Sequence, residues 1–185
     1  MGLFGWWSRK AADEGTTAWR ERWAAAVTAL DAGAVANLEA ALKATPPLAD
    51  DLEIEEEMLD GLRQLLALER DLLAGRPPVI ETAHRVVGAD RCHFSAPVSI
   101  PDDPAQPTGR LLLTSSRAAF AGGTRAPALP WHGVRDVIQT GRDVLLVTSR
   151  GPEEAQRFRC NSYADAMCGA AIARYLAGRA RTRQL

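Results

Sequence analysis

The sequence predicts an α+β protein, with an N-terminal helical hairpin or bundle followed by a seven-stranded antiparallel β-barrel or sandwich and a C-terminal capping helix. Three observations carry this expectation. Apolar residues recur at intervals of three and four as far as residue 74, the spacing that collects side chains on one helical face. Beyond Gly88 the pattern changes to short apolar runs bounded by Pro, Gly, Asp and Ser, as in antiparallel β-structure. After Cys160 a helical pattern returns behind an Asn-Ser pair suited to capping. The expected organisation is a flexible segment over residues 1–15, an acidic helical region over 16–78, and a β-domain with its helix over 79–185.

Composition supports a folded chain. Of the 185 residues, 46% are hydrophobic and 24% charged, far from the regime of disorder. The net charge of −1 conceals an asymmetry: residues 1–78 carry −6 and residues 79–185 carry +5. Opposite charges favour docking of the two parts, although each exposed pair contributes at most ~1 kcal/mol. Cys92, Cys160 and Cys168 are odd in number, and the opening residues lack the basic start and long apolar run of a secretory signal, so free thiols in the cytoplasm are expected. No window approaches the length of a membrane span. Alanine abundance and arginine used almost to the exclusion of lysine fit a GC-rich bacterial genome.

In the helical region Trp19, Trp23, Val27, Leu30, Ala34, Leu38 and Leu42 follow helical spacing, with a weak point at Asp31-Ala-Gly33 that predicts one helix or two. Pro46-Pro47 ends the segment. A longer helix is expected from Leu48 to Ala74, closed by Gly75, with acidic residues early and Arg63, Arg70 and Arg76 late to complement its dipole. The leucines of these helices could be buried by each other, by the β-domain, or in a homodimer formed through the N-terminal helices. At the start of the chain Phe4, Trp6 and Trp7, followed by Arg9 and Lys10, are candidates for weak membrane contact.

Seven strands are expected over residues 92–100, 109–115, 117–122, 127–131, 134–140, 143–149 and 156–160. Gly141-Arg142 is read as a two-residue hairpin turn and Gly151-Pro152 as another turn. The closing helix is expected to start behind Asn161 or Ser162, supported by Asp165, and to end near Ala177. This order, and the segments Gly109-Arg-Leu-Leu-Leu-Thr-Ser-Ser-Arg-Ala-Ala-Phe120, Leu129-Pro-Trp-His-Gly-Val-Arg-Asp-Val137, Arg157-Phe-Arg159 and Ala164-Asp-Ala166, resemble bacterial PH-like and GRAM-like domains of the pleckstrin-homology superfold. The resemblance covers roughly half the chain and departs from the family pattern at Ala118 and Ala119, where larger apolar residues are usual. It implies a module that binds phosphoinositides, proteins or peptides, and fold alone does not choose among these. Phosphoinositide-binding members carry basic residues between the first two strands; here that loop reads Pro101-Asp-Asp-Pro-Ala-Gln-Pro107, whose aspartates would repel phosphate.

Chemistry is sparse. Cys92, His93, Cys160, Cys168, His84 and His132 lack the paired spacing of zinc ligands, and no Gly-x-Ser-x-Gly, Walker or Gly-x-Gly-x-x-Gly pattern is present, so neither metal nor cofactor is expected. Thr114-Ser-Ser116 at a hairpin reads as hydroxyls that satisfy backbone groups. Arginines scattered over the strands argue against nucleic acid. The reading that remains is a non-catalytic adaptor binding a protein or peptide, with Arg110, Arg117, Arg125, Trp131 and His132 as candidate binding residues. Peripheral membrane association through Phe4, Trp6 and Trp7 is one alternative, and an enzyme of unrecognised type is another.

Overall fold

The computed structural model describes residues 3–44, 52–122, 128–149 and 151–182, with side chains described from residue 15 onward and not at residue 152. The chain forms two compact units, Met1–Leu66 and Ala67–Leu185. The class is α+β, as expected.

In the first unit α1 spans Leu3–Ala29 and α2 spans Ala34–Ala44, while α3, Glu53–Leu73, begins here and ends in the second unit. The expected weak point is the break: the Asp31 carboxylate accepts the Gly33 N–H at 2.8 Å between the two helices. Leu30 adopts a left-handed φ of 50°, and Asp31 N–H reaches back to Ala26 O at 2.9 Å, a C-terminal motif that closes α1. Helical backbone begins at Leu3, inside the segment expected to be flexible. The core is built on two tryptophans. Trp19 Nε1 donates to Leu38 O of α2 at 2.9 Å, and Trp23 Nε1 donates to Met58 O of α3 at 2.8 Å, so each indole buries its ring and satisfies its N–H. Glu55 has its side chain only 2% exposed and is held by Arg20 at 2.5 Å, so one member of the acidic run is a buried ionic tie between α1 and α3. Arg20→Ala strands that carboxylate and is expected to destabilise the fold by about 1–3 kcal/mol, with Arg20→Ala/Glu55→Leu recovering most of the loss in chemical denaturation.

The second unit carries β1 Cys92–Ser99, β2 Thr108–Thr114, β3 Arg117–Ala121, β4 Ala128–Pro130, a single 3-10 turn at Trp131–Gly133, β5 Val134–Thr140, β6 Asp143–Thr148, β7 Gly151–Cys160, and α4 Tyr163–Thr182. The strands form one antiparallel sheet in the order β4-β3-β2-β1-β7-β6-β5. The sheet is not a closed barrel: β4 and β5 are its two ends and do not pair with each other. β1 and β7 meet through only two pairs, Val98↔Cys160 and Ser99↔Arg159, so this junction is the narrow seam of the sheet. Strands from both sides of the seam bury residues in one core, where the Phe120 and Phe158 ring centroids lie 6.3 Å apart.

Helix α4 covers this core with Ala166, Ala170, Ile172, Ala173, Leu176 and Ala177, and extends one turn beyond its expected end. Its small residues permit close approach. A Cβ at Gly169 would lie 3.0 Å from the Phe94 ring, which explains a glycine in a helix interior. Ser162 is the N-cap, its Oγ accepting Asp165 N–H at 3.0 Å. The glycine that is second in β2 has a similar reason: a Cβ at Gly109 would sit 2.5 Å from Ala121 O and 2.8 Å from the Phe120 ring. Gly151 belongs to β7 rather than to a turn. Leu112 on β2 is fully buried although it faces away from the main core, because Val87 and Cys92 form a second small cluster over it. Both faces of β2 are therefore covered, which accounts for its unbroken Leu-Leu-Leu run.

Candidate functional site

Of the five proposed binding residues, four have described positions: Arg117, Trp131 and His132 lie at one end of the sheet, where β3 pairs with β4, and Arg110 stands apart. Arg125 lies outside the described residues. Trp131 is 1% exposed in the 3-10 turn and donates its indole N–H to Thr114 O at 2.8 Å; it is a core residue. Arg117, at the hairpin end of β3, donates to Val86 O at 2.9 Å and so pins residues 84–91 against the sheet. Arg110 stands towards the other end of the β2–β3 ladder, opposite Ala121, with its guanidinium on the Ser95 hydroxyl and carbonyl at 3.0 and 3.3 Å. His132 is exposed in the 3-10 turn. Phe4, Trp6 and Trp7 fall within the α1 backbone, but their side chains lie outside the described residues.

The β2–β3 hairpin gathers a polar network that composition alone could not reveal. The fully buried Thr114 hydroxyl lies 3.0 Å from Asp90 Oδ2 and from Arg117 O, and accepts Arg117 N–H at 3.2 Å. Asp90 also accepts the Ser116 hydroxyl. His93 is 5% exposed; its Nδ1 sits 2.6 Å from Pro78 O and its Nε2 2.9 Å from Ser115 Oγ. A carbonyl can only accept, so Nδ1 carries the proton and, in the neutral ring, Nε2 accepts from Ser115. A hydroxyl beside an oriented imidazole is the start of a nucleophilic site. The rest of such a site is not assembled: Ser115 N–H is given to Arg91 O at 2.9 Å, while Ser116 and Arg117 N–H both turn to Thr114 Oγ1, leaving these amides no role as an oxyanion hole. The network ties the hairpin to residues 78–93. Trp131→Ala is expected to cost about 3–5 kcal/mol and Trp131→Phe, which keeps the ring but strands Thr114 O, about 1–3 kcal/mol in urea unfolding.

Cys92 and Cys160 are buried thiols, while Cys168 is half-buried. Burial pushes the Cys160 thiol up to about 12, helped by Asp165 and Asp143, and burial likewise raises Cys92. Among the described residues no group of three His, Cys, Asp or Glu side chains is arranged to hold a metal ion.

Among the described residues a linked set of charges lies where the β1–β2 loop, the start of β6, the end of β7 and the start of α4 converge. Arg157 of β7 grips Asp102 of the loop through both Nε, at 3.0 Å, and Nη2. Arg159 holds Asp143 of β6 through two bonds of 2.8 and 2.9 Å. Arg157 also reaches Asp143 at 3.7 Å, so the four charges form one chain of alternating sign. Beside it the Arg142 guanidinium lies over the Tyr163 ring, 5.3 Å from its centroid. Asp103 caps its own turn, accepting Ala105 N–H at 2.8 Å. Asp102 therefore folds inward onto an arginine that would otherwise be available to an anion. Sequence spacing gave no sign of this, because Asp102 and Arg157 are 55 residues apart.

The Arg157 hydrogen bond holds the Asp102 carboxyl below its ordinary value of 3.8, against a smaller opposing effect of burial. Because the folded value is the lower one, the loop anchorage is complete above the unfolded value and is lost as pH falls through the folded value. Carboxyl titration by NMR is expected to place the Asp102 midpoint below 3.8, and Arg157→Gln to return it upward.

The first unit holds a groove of about 380 Å³ between α1 and α2 lined mostly by Ala25, Ala26, Ala29, Gly33 and Ala34, with Arg22 and Asp31 among its polar residues.

No family model matches the chain, and no curated protein is significantly similar to it. Solved structures with a similar trace include the C-terminal domain of an unknown protein from Leishmania infantum, at 12% identity over 50% of this chain and 89% of that one, with a TM-score of 0.42. Inner Membrane Complex Sub-compartment Protein 1 from Toxoplasma gondii matches at 12% identity over 63% of this chain and 92% of its own, with a TM-score of 0.41. The DH/PH domains of p115-RhoGEF match at 12% identity over 66% of this chain and 45% of theirs, with a TM-score of 0.38.

Proposed function

We propose that the second unit is a PH-like, non-catalytic module that binds a protein or peptide through the surface formed by residues 100–107, 141–143 and 157–165. The observation that carries this reading is the Asp102–Arg157–Asp143–Arg159 chain of charges with the Arg142–Tyr163 pair beside it. Exposed ion pairs add little stability, typically ~0.2–1 kcal/mol each, whereas alternating charge on a surface steers partners and fixes their register. Arginine and tyrosine are also the residues enriched where proteins meet. An anionic headgroup fits this surface poorly: it would have to break the Asp102 and Asp143 pairs and then sit among those carboxylates. The order of seven antiparallel strands and a closing helix supports the PH-like part of the reading. The cytoplasm is the compartment proposed for its three free thiols.

Two measurements test this. In flotation with phosphatidylcholine vesicles containing phosphatidylserine or a phosphoinositide, the wild-type chain is expected to stay at the bottom of the gradient; flotation that disappears on Arg157→Glu would replace the protein reading with a lipid one. With a photo-crosslinking residue at exposed Asp103 or at exposed Ser149, discrete protein adducts in cells are expected from the first position only. Equal adducts from both positions would overturn the assignment of the surface.

A further inference from the structure

The two end strands of the sheet present unpaired backbone, and they are closed in different ways. β4 is three residues long and ends in Pro130, which has no N–H to offer. β5 is seven residues long and has no such defect at its centre. Its geometry with β6 shows which groups point outward. The two-residue turn at Gly141-Arg142 makes Thr140 and Asp143 a facing pair, so alternation directs the backbone groups of Gln139 and Val137 away from β6. The register shift between Val134 and Asp136 leaves Arg135 as an extra residue, a bulge that turns its carbonyl outward as well.

Three of these outward groups, on Val137 and Arg135, are taken by side chains. Arg174 Nε of α4 donates to Val137 O at 3.0 Å, and Arg181 Nη1 of α4 donates to Arg135 O at 2.7 Å. The Val137 N–H is given to the neighbouring Asp136 carboxylate at 2.7 Å. The backbone of Val137 is thus fully satisfied with no neighbouring strand. Arg174 and Arg181 are seven residues apart, two turns along α4, which matches the direction in which the helix lies beside β5. Both side chains are exposed, so they are not needed to fill the core.

We infer that Arg174 and Arg181 seal the β5 edge against strand pairing with a second copy of this chain. The seal works twice. Each guanidinium occupies a carbonyl that an incoming strand would need, and two copies meeting through β5 about a two-fold axis would bring together Arg135, Arg174 and Arg181 from both, six positive charges against only the two Asp136 carboxylates around one seam. Without the two helix arginines, the edge offers unpaired carbonyls beside the exposed side chain of Ile138, which is 42% accessible, an arrangement that invites a matching edge. This inference does not depend on the loop surface proposed above.

The test uses the full-length chain carrying Arg174→Met, which keeps an aliphatic stem over the helix surface, together with Arg181→Ala. Light scattering after size exclusion is expected to show a twofold increase in mass over wild type at equal concentration. Adding Gln139→Pro removes an outward N–H without breaking the ladder to β6, and is expected to return the mass to that of wild type. A double variant that keeps the wild-type mass overturns the inference. So does a heavier species that persists with Gln139→Pro, since it would come from another surface or from misfolding.

Discussion

An open sheet that covers its own core has to be fastened where its ends come round, and in this chain the fastening is the bond from Trp131 to Thr114. Trp131 lies in the one-turn link between the two end strands, so its position decides where β5 begins relative to β4. Its indole is buried in the core shared by strands on both sides of the β1–β7 seam. The N–H would be costly to bury alone, and only the carbonyl of Thr114, at the end of β2, accepts it. Thr114 is in turn fixed by the hydroxyl bonds that reach Asp90 and Arg117. The turn between the end strands, the β2–β3 hairpin and the segment before β1 are therefore held at one point. The seam, with its two residue pairs, depends on this outer fastening and on the helix laid across the core.

That helix can do so because it is built from alanine and glycine. Large side chains on α4 would stand it away from the sheet. Small ones let Phe94 and the core residues of β5 to β7 meet its backbone surface, as the contact at Gly169 shows. Close approach has a second consequence: it brings arginines within reach of the β5 backbone. A lysine could reach one carbonyl, but the guanidinium offers several donors in a fixed plane and holds its charge while partly covered. The seal on the edge follows from the same packing that closes the core.

The sequence made legible what local chemistry decides. Asp31 to Gly33 breaks the helix because an aspartate can cap a glycine two residues on. Gly75 has the left-handed φ of 71° expected after a helix end, Ser162 caps α4, and Gly141-Arg142 makes the tight hairpin. The α+β class, with helices first, then strands and a closing helix, followed from the changes in periodicity. What could not be read was the use of a polar side chain by a distant backbone. Trp131 and Arg117 were singled out as candidate binding residues, yet the Trp131 indole N–H and the Arg117 Nη2 donate to backbone carbonyls of the chain itself. Glu55 sat in a run whose neighbours are solvated, and only its place opposite Arg20 shows that it is buried. A barrel was expected beside a sandwich because alternation looks the same in a closed sheet and in an open one. Closure depends on whether β4 can pair with β5, and three residues ending in proline leave little to pair with.

The excess of positive charge in residues 79–185 also takes on a different meaning. Counted along the chain it suggests docking on the acidic residues 1–78. Followed atom by atom, Arg110, Arg117, Arg174 and Arg181 donate to carbonyls, and Arg157 and Arg159 to carboxylates. A carbonyl does not cancel a charge, but it orients the guanidinium and occupies the donors that would grip an anion. Four cations spread over separate backbone sites cannot converge on one phosphate. The remaining two converge, but on aspartates already in place. These six arginines act as long-reaching donors that tie loops, edges and strands together, and Arg157 and Arg159 do so on a surface of both signs, suited to a partner that carries both.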